Sequence, residues 1–246
     1  MSRTLILFSL VAVILSFCVI LNPGLTVYFC SGFVVGFALF LGLNIALYSG
    51  ASFLLALFLS LVVSPVEITL EAVTWMILGF VLGLFPLLVL GFRNPGYFSV
   101  YWDKKIRTVV KRGTSNLPLP LPWLWRKPIQ FGGMTSARQV FFKTIFTCLA
   151  PGYVVSMVIG FGIFDEQAVN GGLIISASLV GIVYLHWIFS RADLLHLCQA
   201  IHPALLLMSV LLVTFLPWIW AVLSLAISSS DRSRMASSSS VRSSKD

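Results

Sequence analysis

The sequence predicts an all-α, polytopic integral membrane protein with about seven transmembrane helices and one amphipathic interfacial helix. Three observations carry that expectation. The chain of 246 residues is 59% hydrophobic and 10% charged, where a soluble domain holds about a quarter charged residues. Apolar runs of about 20 residues recur, the length a helix needs to cross a hydrocarbon core about 30 Å thick. Ten of the sixteen basic residues fall between Arg93 and Lys143, opposed only by Asp103. A cluster of that kind sets which side of a membrane a segment occupies.

Residues 4–21 form the first expected span, closed by Asn22-Pro23-Gly24. Met1-Ser2-Arg3 before an apolar run resembles a secretory signal. No small-x-small cleavage site follows, so the span is expected to stay uncleaved. Residues 25–43 make the second span and 46–63 the third. Ser49, Gly50 and Ser52 interrupt the third, which makes it the weakest of the set. After Pro65 and a loop carrying Glu67 and Glu71, residues 73–92 form the fourth span, with Pro86 expected to kink it.

The basic segment 93–139 separates this block from the rest of the chain. Within it, Phe98, Trp102, Ile106, Val109 and Val110 fall on one helical stripe. Lys104, Lys105, Arg107, Lys111 and Arg112 line the remainder, so residues 97–112 read as a helix lying in the headgroup plane. Asp103 stands four residues before Arg107, the spacing of a helical ion pair. Alternating prolines then extend the chain through Leu117–Pro122 into Trp123, Trp125, Arg126 and Lys127. The tryptophans suit a membrane–water boundary and the two cations suit phosphate.

Residues 140–164, 173–189 and 203–227 are the fifth, sixth and seventh spans, and 228–246 is a Ser-rich tail too polar to fold. Counting lysine and arginine by loop puts Arg3, the basic segment and Arg191 on one side, expected to be cytoplasmic. The glutamate loop and the Asp165-Glu166 turn fall on the other. Four regions result: spans at 1–92, a basic connector at 93–139, spans at 140–227, and the tail.

All three histidines lie in one stretch, His186–Pro203. Continued as a helix at 100° per residue, His186, Asp193 and His196 project within about 80° of one another. Asp193 and His196 are close enough in sequence to hydrogen-bond, which fixes an imidazole tautomer. These residues read either as helix caps and anchors or as a polar site contacting phosphate or sugar. A metal site is not expected, since two histidines and an aspartate here lack a ligand spacing. Cys18, Cys30, Cys148 and Cys198 form no CxxC pair and read as small apolar side chains.

The net charge of +8 adjoins apolar spans, so anionic headgroups rather than nucleic acid are the expected partners. Nucleotide cradles, zinc-protease helices and hydrolase elbows are missing from the sequence, and no cofactor is expected. Gly32-Phe-Val-Val-Gly36 and Gly79-Phe-Val-Leu-Gly83 are GxxxG patterns. Such patterns let helices approach closely in lipid, within a chain or toward a partner subunit or second copy.

Two stretches carry a family resemblance. Arg93-Asn94-Pro95-Gly96, Gly113-Thr114-Ser115-Asn116-Leu117-Pro118-Leu119-Pro120 and Pro122-Trp123-Leu124-Trp125-Arg126 resemble a connector in bacterial polytopic membrane proteins. Phe189-Ser190-Arg191-Ala192-Asp193-Leu194-Leu195-His196-Leu197, then Ile201-His202-Pro203, resembles their later R-x-D-x-x-H-L stretch. Those proteins are similar to the multi-span GT-C glycosyltransferases, and the likeness covers roughly residues 80–215, the later portion of such a protein.

The resemblance implies a bacterial cytoplasmic-membrane protein acting on a polyprenyl-phosphate-linked sugar. Arg191, Arg126 and Lys127 would hold phosphate, and Asp193 or His196 would act as base or orient the acceptor. The acidic pair of the family's first extracytoplasmic loop has no counterpart in Asn22-Pro23-Gly24. The family also places such a connector outside the membrane, whereas the charge count places it inside. A non-catalytic scaffold or lipid-binding subunit is therefore the alternative to a transferase, and a transporter a third reading.

Overall fold

The structure is a computed structural model that describes residues 2–22, 24–63, 69–107, 136–190, 197–198 and 201–220. Among them lie α1 (Ser2–Leu21), α2 (Leu25–Leu41), α3 (Leu43–Val63), α4 (Leu70–Arg93), α5 (Tyr97–Tyr101), α6 (Ser136–Phe164) and α7 (Ala168–Ser190). A last helix, α8, covers His202–Trp220. No strand occurs among the described residues. Six of these helices are long and apolar enough to cross a membrane, and α2 is a shorter apolar helix. The protein is an all-α polytopic membrane protein, as its composition requires.

The weak member of the set differs from expectation. The third span is an unbroken helix of 21 residues, whereas α2 is the short one at 17. Gly42 alone separates them, so the polar interruption at Ser49, Gly50 and Ser52 lies well inside α3. It marks a buried face and not a helix end, because Ser49 and Ser52 are buried. Elsewhere local chemistry sets the boundaries. The Thr69 hydroxyl accepts a hydrogen bond from the Ala72 N–H at 3.2 Å, and Glu71 adds a negative charge to the first turn of α4. Pro86 and Pro151 sit inside α4 and α6, each removing one backbone donor.

Residues 1–207 form one compact unit and 208–246 a second. In the second, the described part is Met208–Trp220, a helix in which the Thr214 hydroxyl donates to the Val210 carbonyl at 2.8 Å. In the first, the helices run alternately between two ends. Phe8 of α1 stacks on Phe37 near the far end of α2, and Gly172 at the start of α7 abuts Phe17 and Leu21 at the end of α1. Tyr48 near the start of α3 meets Tyr184 and Trp187 near the end of α7. Gly160 of α6 packs on Ile174 and Ile175 of α7.

One end of this unit therefore gathers the start of α1, the Gly42 turn, the end of α4, α5, the start of α6 and the end of α7. Its described cations include Arg93, Arg107 and Arg138. The opposite end carries Glu71, Asp165 and Glu166. The charge alternation read from the loops is thus present in the fold among the described residues.

The closest helix pair is α2 with α4. A Cβ on Gly32 would overlap the Met76 carbonyl, and one on Gly36 the Phe80 carbonyl. Reciprocally, Gly79 lies against the Phe29 carbonyl and Gly83 against that of Phe33. Every glycine meets the residue three positions before its partner glycine, and the numbering rises together along both helices. The pair is parallel and repeats one contact four times. The GxxxG faces that the sequence offered for association are engaged with each other inside one chain.

The basic connector is tied down where it leaves α4. Gly96 adopts φ 84°, a left-handed conformation suited to glycine, and turns the chain into α5. Phe98 packs over Gly91, where any Cβ would collide with its ring. The expected amphipathic helix is continuous only in part. Trp102–Ile106 is a π-helical turn, so a strict 100° stripe does not persist through it. The Asp103–Arg107 pair does form, at 3.4 Å, and residues 108–112 lie outside the described residues.

Two outcomes follow from this packing. Gly79→Leu should cost about 1–3 kcal/mol, measured as a lowered unfolding midpoint in mixed detergent. Gly152→Ala and Gly162→Ala, whose Cβ positions meet nothing within 4 Å, should leave that midpoint unchanged or raise it. Single cysteines at Ser99 and Glu166 should label from opposite sides of intact membranes. Labelling of both from one side would refute the two-ended arrangement.

Candidate functional site

The basic end holds the described residues with most chemical capacity. Three side chains of α7 converge there on one side chain of α3. The Tyr48 ring lies 5.4 Å from Tyr184, 5.9 Å from Trp187 and 6.1 Å from His186. Tyr184 is fully buried and His186 exposed, so the group grades from core to surface over less than one helical turn. On the other flank, Phe189 packs at 6.0 Å on Phe146 of α6, itself 4.6 Å from Phe142.

Beside Phe142 stands Lys143, only 8% exposed. A lysine side chain buried that far in an apolar bundle requires polar partners to offset its lost hydration. Arg138, five residues nearer the start of α6, is exposed. His202 opens α8, and its Nδ1 is buried without a hydrogen-bond partner among the described atoms.

Of the residues singled out in the sequence, His186 is the one brought into this group. Arg191, Asp193 and His196 lie outside the described residues, as do Arg126 and Lys127. The described part of α7 ends at Ser190, adjacent in sequence to Arg191, and Leu197-Cys198 is helical again. Glu71 is at the opposite end from Ser190, so it does not stand beside His186. Asp103 pairs with Arg107 in an exposed ion pair. No three His, Cys, Asp or Glu side chains gather as metal ligands among the described residues, and the four cysteines are free.

Sequence reading missed Tyr48 and Lys143. Tyr48 sat in a stretch read as an interruption, and a lysine at a span boundary usually extends its amine to water. A separate groove of about 290 Å³ opens between α2, α3 and α4, lined by Gly32, Val35, Gly50, Phe53, Met76 and Phe80 among others. Its apolar lining suits hydrocarbon and offers no catalytic group.

The connector approaches this end through Tyr101, whose hydroxyl donates to the Leu39 carbonyl at 2.9 Å. Burial, with a smaller contribution from Tyr97 stacked beside it, holds the Tyr101 phenol above its ordinary value. No protein-family model, curated protein or solved structure matches the chain.

A raised phenol pKa means the folded state resists forming phenolate. Its stabilising effect is intact below about pH 10 and is lost as pH rises beyond that. Ultraviolet titration should show one late-ionising tyrosine fewer in Tyr101→Phe than in the wild type, and that variant should lose about 1 kcal/mol at neutral pH.

Proposed function

We propose that the chain is a protein of the bacterial cytoplasmic membrane that recognises a lipid-linked phosphate at its basic, cytoplasmic end. In its sharper form it is a GT-C-like transferase moving a sugar from a polyprenyl phosphate. Arg191, with Arg126 and Lys127, pairs with phosphate oxygens through charge-assisted hydrogen bonds. Asp193 and His196 act on the acceptor as base and orienting group. The observation that carries this reading is the separation of charge between the two ends. Arg93, Arg107, Arg138 and the buried Lys143 lie toward the end at which α7 runs out into Arg191, while Glu71, Asp165 and Glu166 lie at the other.

A second reading, a non-catalytic lipid-binding subunit, is favoured by the same separation. A transferase of this class uses an acid near the transferred sugar, and the described acids near the end of α7 amount to Asp103, paired with Arg107. Binding of phosphate needs only the cations.

Membranes holding Asp193→Asn or His196→Ala should lose formation of the glycolipid while the protein inserts normally. Arg191→Lys, which keeps charge but not the planar fork, should retain about a tenth of the activity. If both Asp193→Asn and His196→Ala leave the product unchanged but Arg191→Ala abolishes retention of polyprenyl phosphate on the purified protein, the subunit reading holds. Retention unaffected by Arg191→Ala removes both.

A further inference from the structure

The groove of about 290 Å³ bounded by α2, α3 and α4 follows from how those helices pack. α2 and α4 meet backbone to backbone through their glycines. Among the described residues the α3 backbone comes close to α2 but not to α4, and the groove is the gap that remains. Gly50 widens it from the α3 side. A Cβ there would meet only the Val35 side chain, at 3.7 Å, which is an ordinary contact. A longer side chain at that position would extend into the groove that Gly50 and Val35 both line.

The exposures of the lining residues show which way the groove opens. Phe53 and Ser31 are 6% and 1% exposed, whereas Leu54 and Ile77 are 61% and 55% exposed. The first pair forms a buried floor and the second an outward rim, so the mouth faces away from the bundle. The Ser31 hydroxyl is itself buried, and the other lining side chains are apolar. At 1.5 Å per residue from the Gly42 turn, the lining residues of α2 and α3 lie about 10–18 Å deep. That is the middle of a hydrocarbon core about 30 Å thick. The medium at the mouth is lipid tail, and the lining offers neither water nor a polar ligand a partner.

A chain from either leaflet reaches mid-membrane, and charge selects between them. Arg93 and Arg138 are exposed at one end of the unit, while Glu71, Asp165 and Glu166 are exposed at the other. Exposed cations beside the membrane attract anionic headgroups, and carboxylates repel them. We propose that the groove holds one acyl chain of an anionic phospholipid whose headgroup lies at the basic end. Gly50 is the residue that makes room for it. The site uses none of Arg191, Asp193 or His196, so it stands independently of the transferase reading.

The test uses phosphatidylglycerol carrying a diazirine at the middle of one acyl chain, with the full-length protein in nanodiscs. After irradiation, Phe53 and Met76 should carry several-fold more label than Val154 and Val155. Those two valines are exposed on α6 about 15 Å from its end, and report ordinary surrounding lipid. Gly50→Leu should bring the groove label down to the valine level, whereas Gly152→Leu, on the open side of α6, should leave it unchanged. Should Gly50→Leu fail to fold, competition on the wild type decides. Excess unlabelled phosphatidylglycerol should displace the groove label several-fold better than phosphatidylcholine with the same chains. Groove label no greater than at the valines, label that survives in folded Gly50→Leu, or equal displacement by both lipids overturns the proposal. So does a cross-link at Phe53 or Met76 to a second copy of the chain in place of lipid.

Discussion

In a bilayer, apolar side chains are as comfortable against lipid as against protein, so helix association must come from close packing and polar contacts. The α2–α4 crossing answers that constraint most directly. Four glycines let two backbones meet with nothing between them, and the contact is reciprocal at every step. Because the two helices are parallel, α3 must return between them, and both ends of α2 and α4 are fixed relative to each other. The Gly42 turn, the departure of the connector at Gly96 and the Tyr101 anchor on Leu39 all lie at one end for this reason.

Around α7 the packing logic is different. It is the most enclosed of the long apolar helices, 61% buried against 17% for α4, and it meets α1, α3 and α6. Small residues recur on it, with Gly172, Ser176, Ser178 and Gly181 all buried. Gly181 accepts the Tyr153 ring from α6, where a side chain would collide. A helix surrounded on several sides cannot hide its polar groups from protein by turning toward lipid. Its hydroxyls must bond to its own backbone, as Ser176 does, or to something held between helices.

Much of the fold was legible because hydrophobic length is a strong signal and turn chemistry a clear one. The span order, the charge alternation between ends and the Asp103–Arg107 pair were all readable from spacing. Depth within the bundle was not. Ser49, Gly50 and Ser52 looked like damage to a span because polarity alone cannot distinguish a helix end from a helix face packed on other helices. The partner of each GxxxG face was equally hidden, since the pattern specifies close approach but not which helix approaches. For the candidate site, sequence offered Arg191, Asp193 and His196 from a motif-like spacing, and these lie outside the described residues. Tyr48 contributes through a contact 136 residues away along the chain, at Tyr184, and no local pattern encodes that.

The placement of Tyr48 joins the two kinds of packing. It belongs to α3, whose position follows from the α2–α4 crossing, yet its ring closes the last turns of α7, where the chain runs into Arg191. A shift of α3 along its axis would move Tyr48 relative to Tyr184, His186 and Trp187 together. Aromatic rings in offset or edge contact tolerate little sliding before the contact is lost, so the basic end of α7 is held by a helix that itself makes no ionic contribution there. A glycine crossing in the apolar interior thereby sets the geometry at the membrane boundary, and the chemistry of that boundary depends on residues that carry no charge.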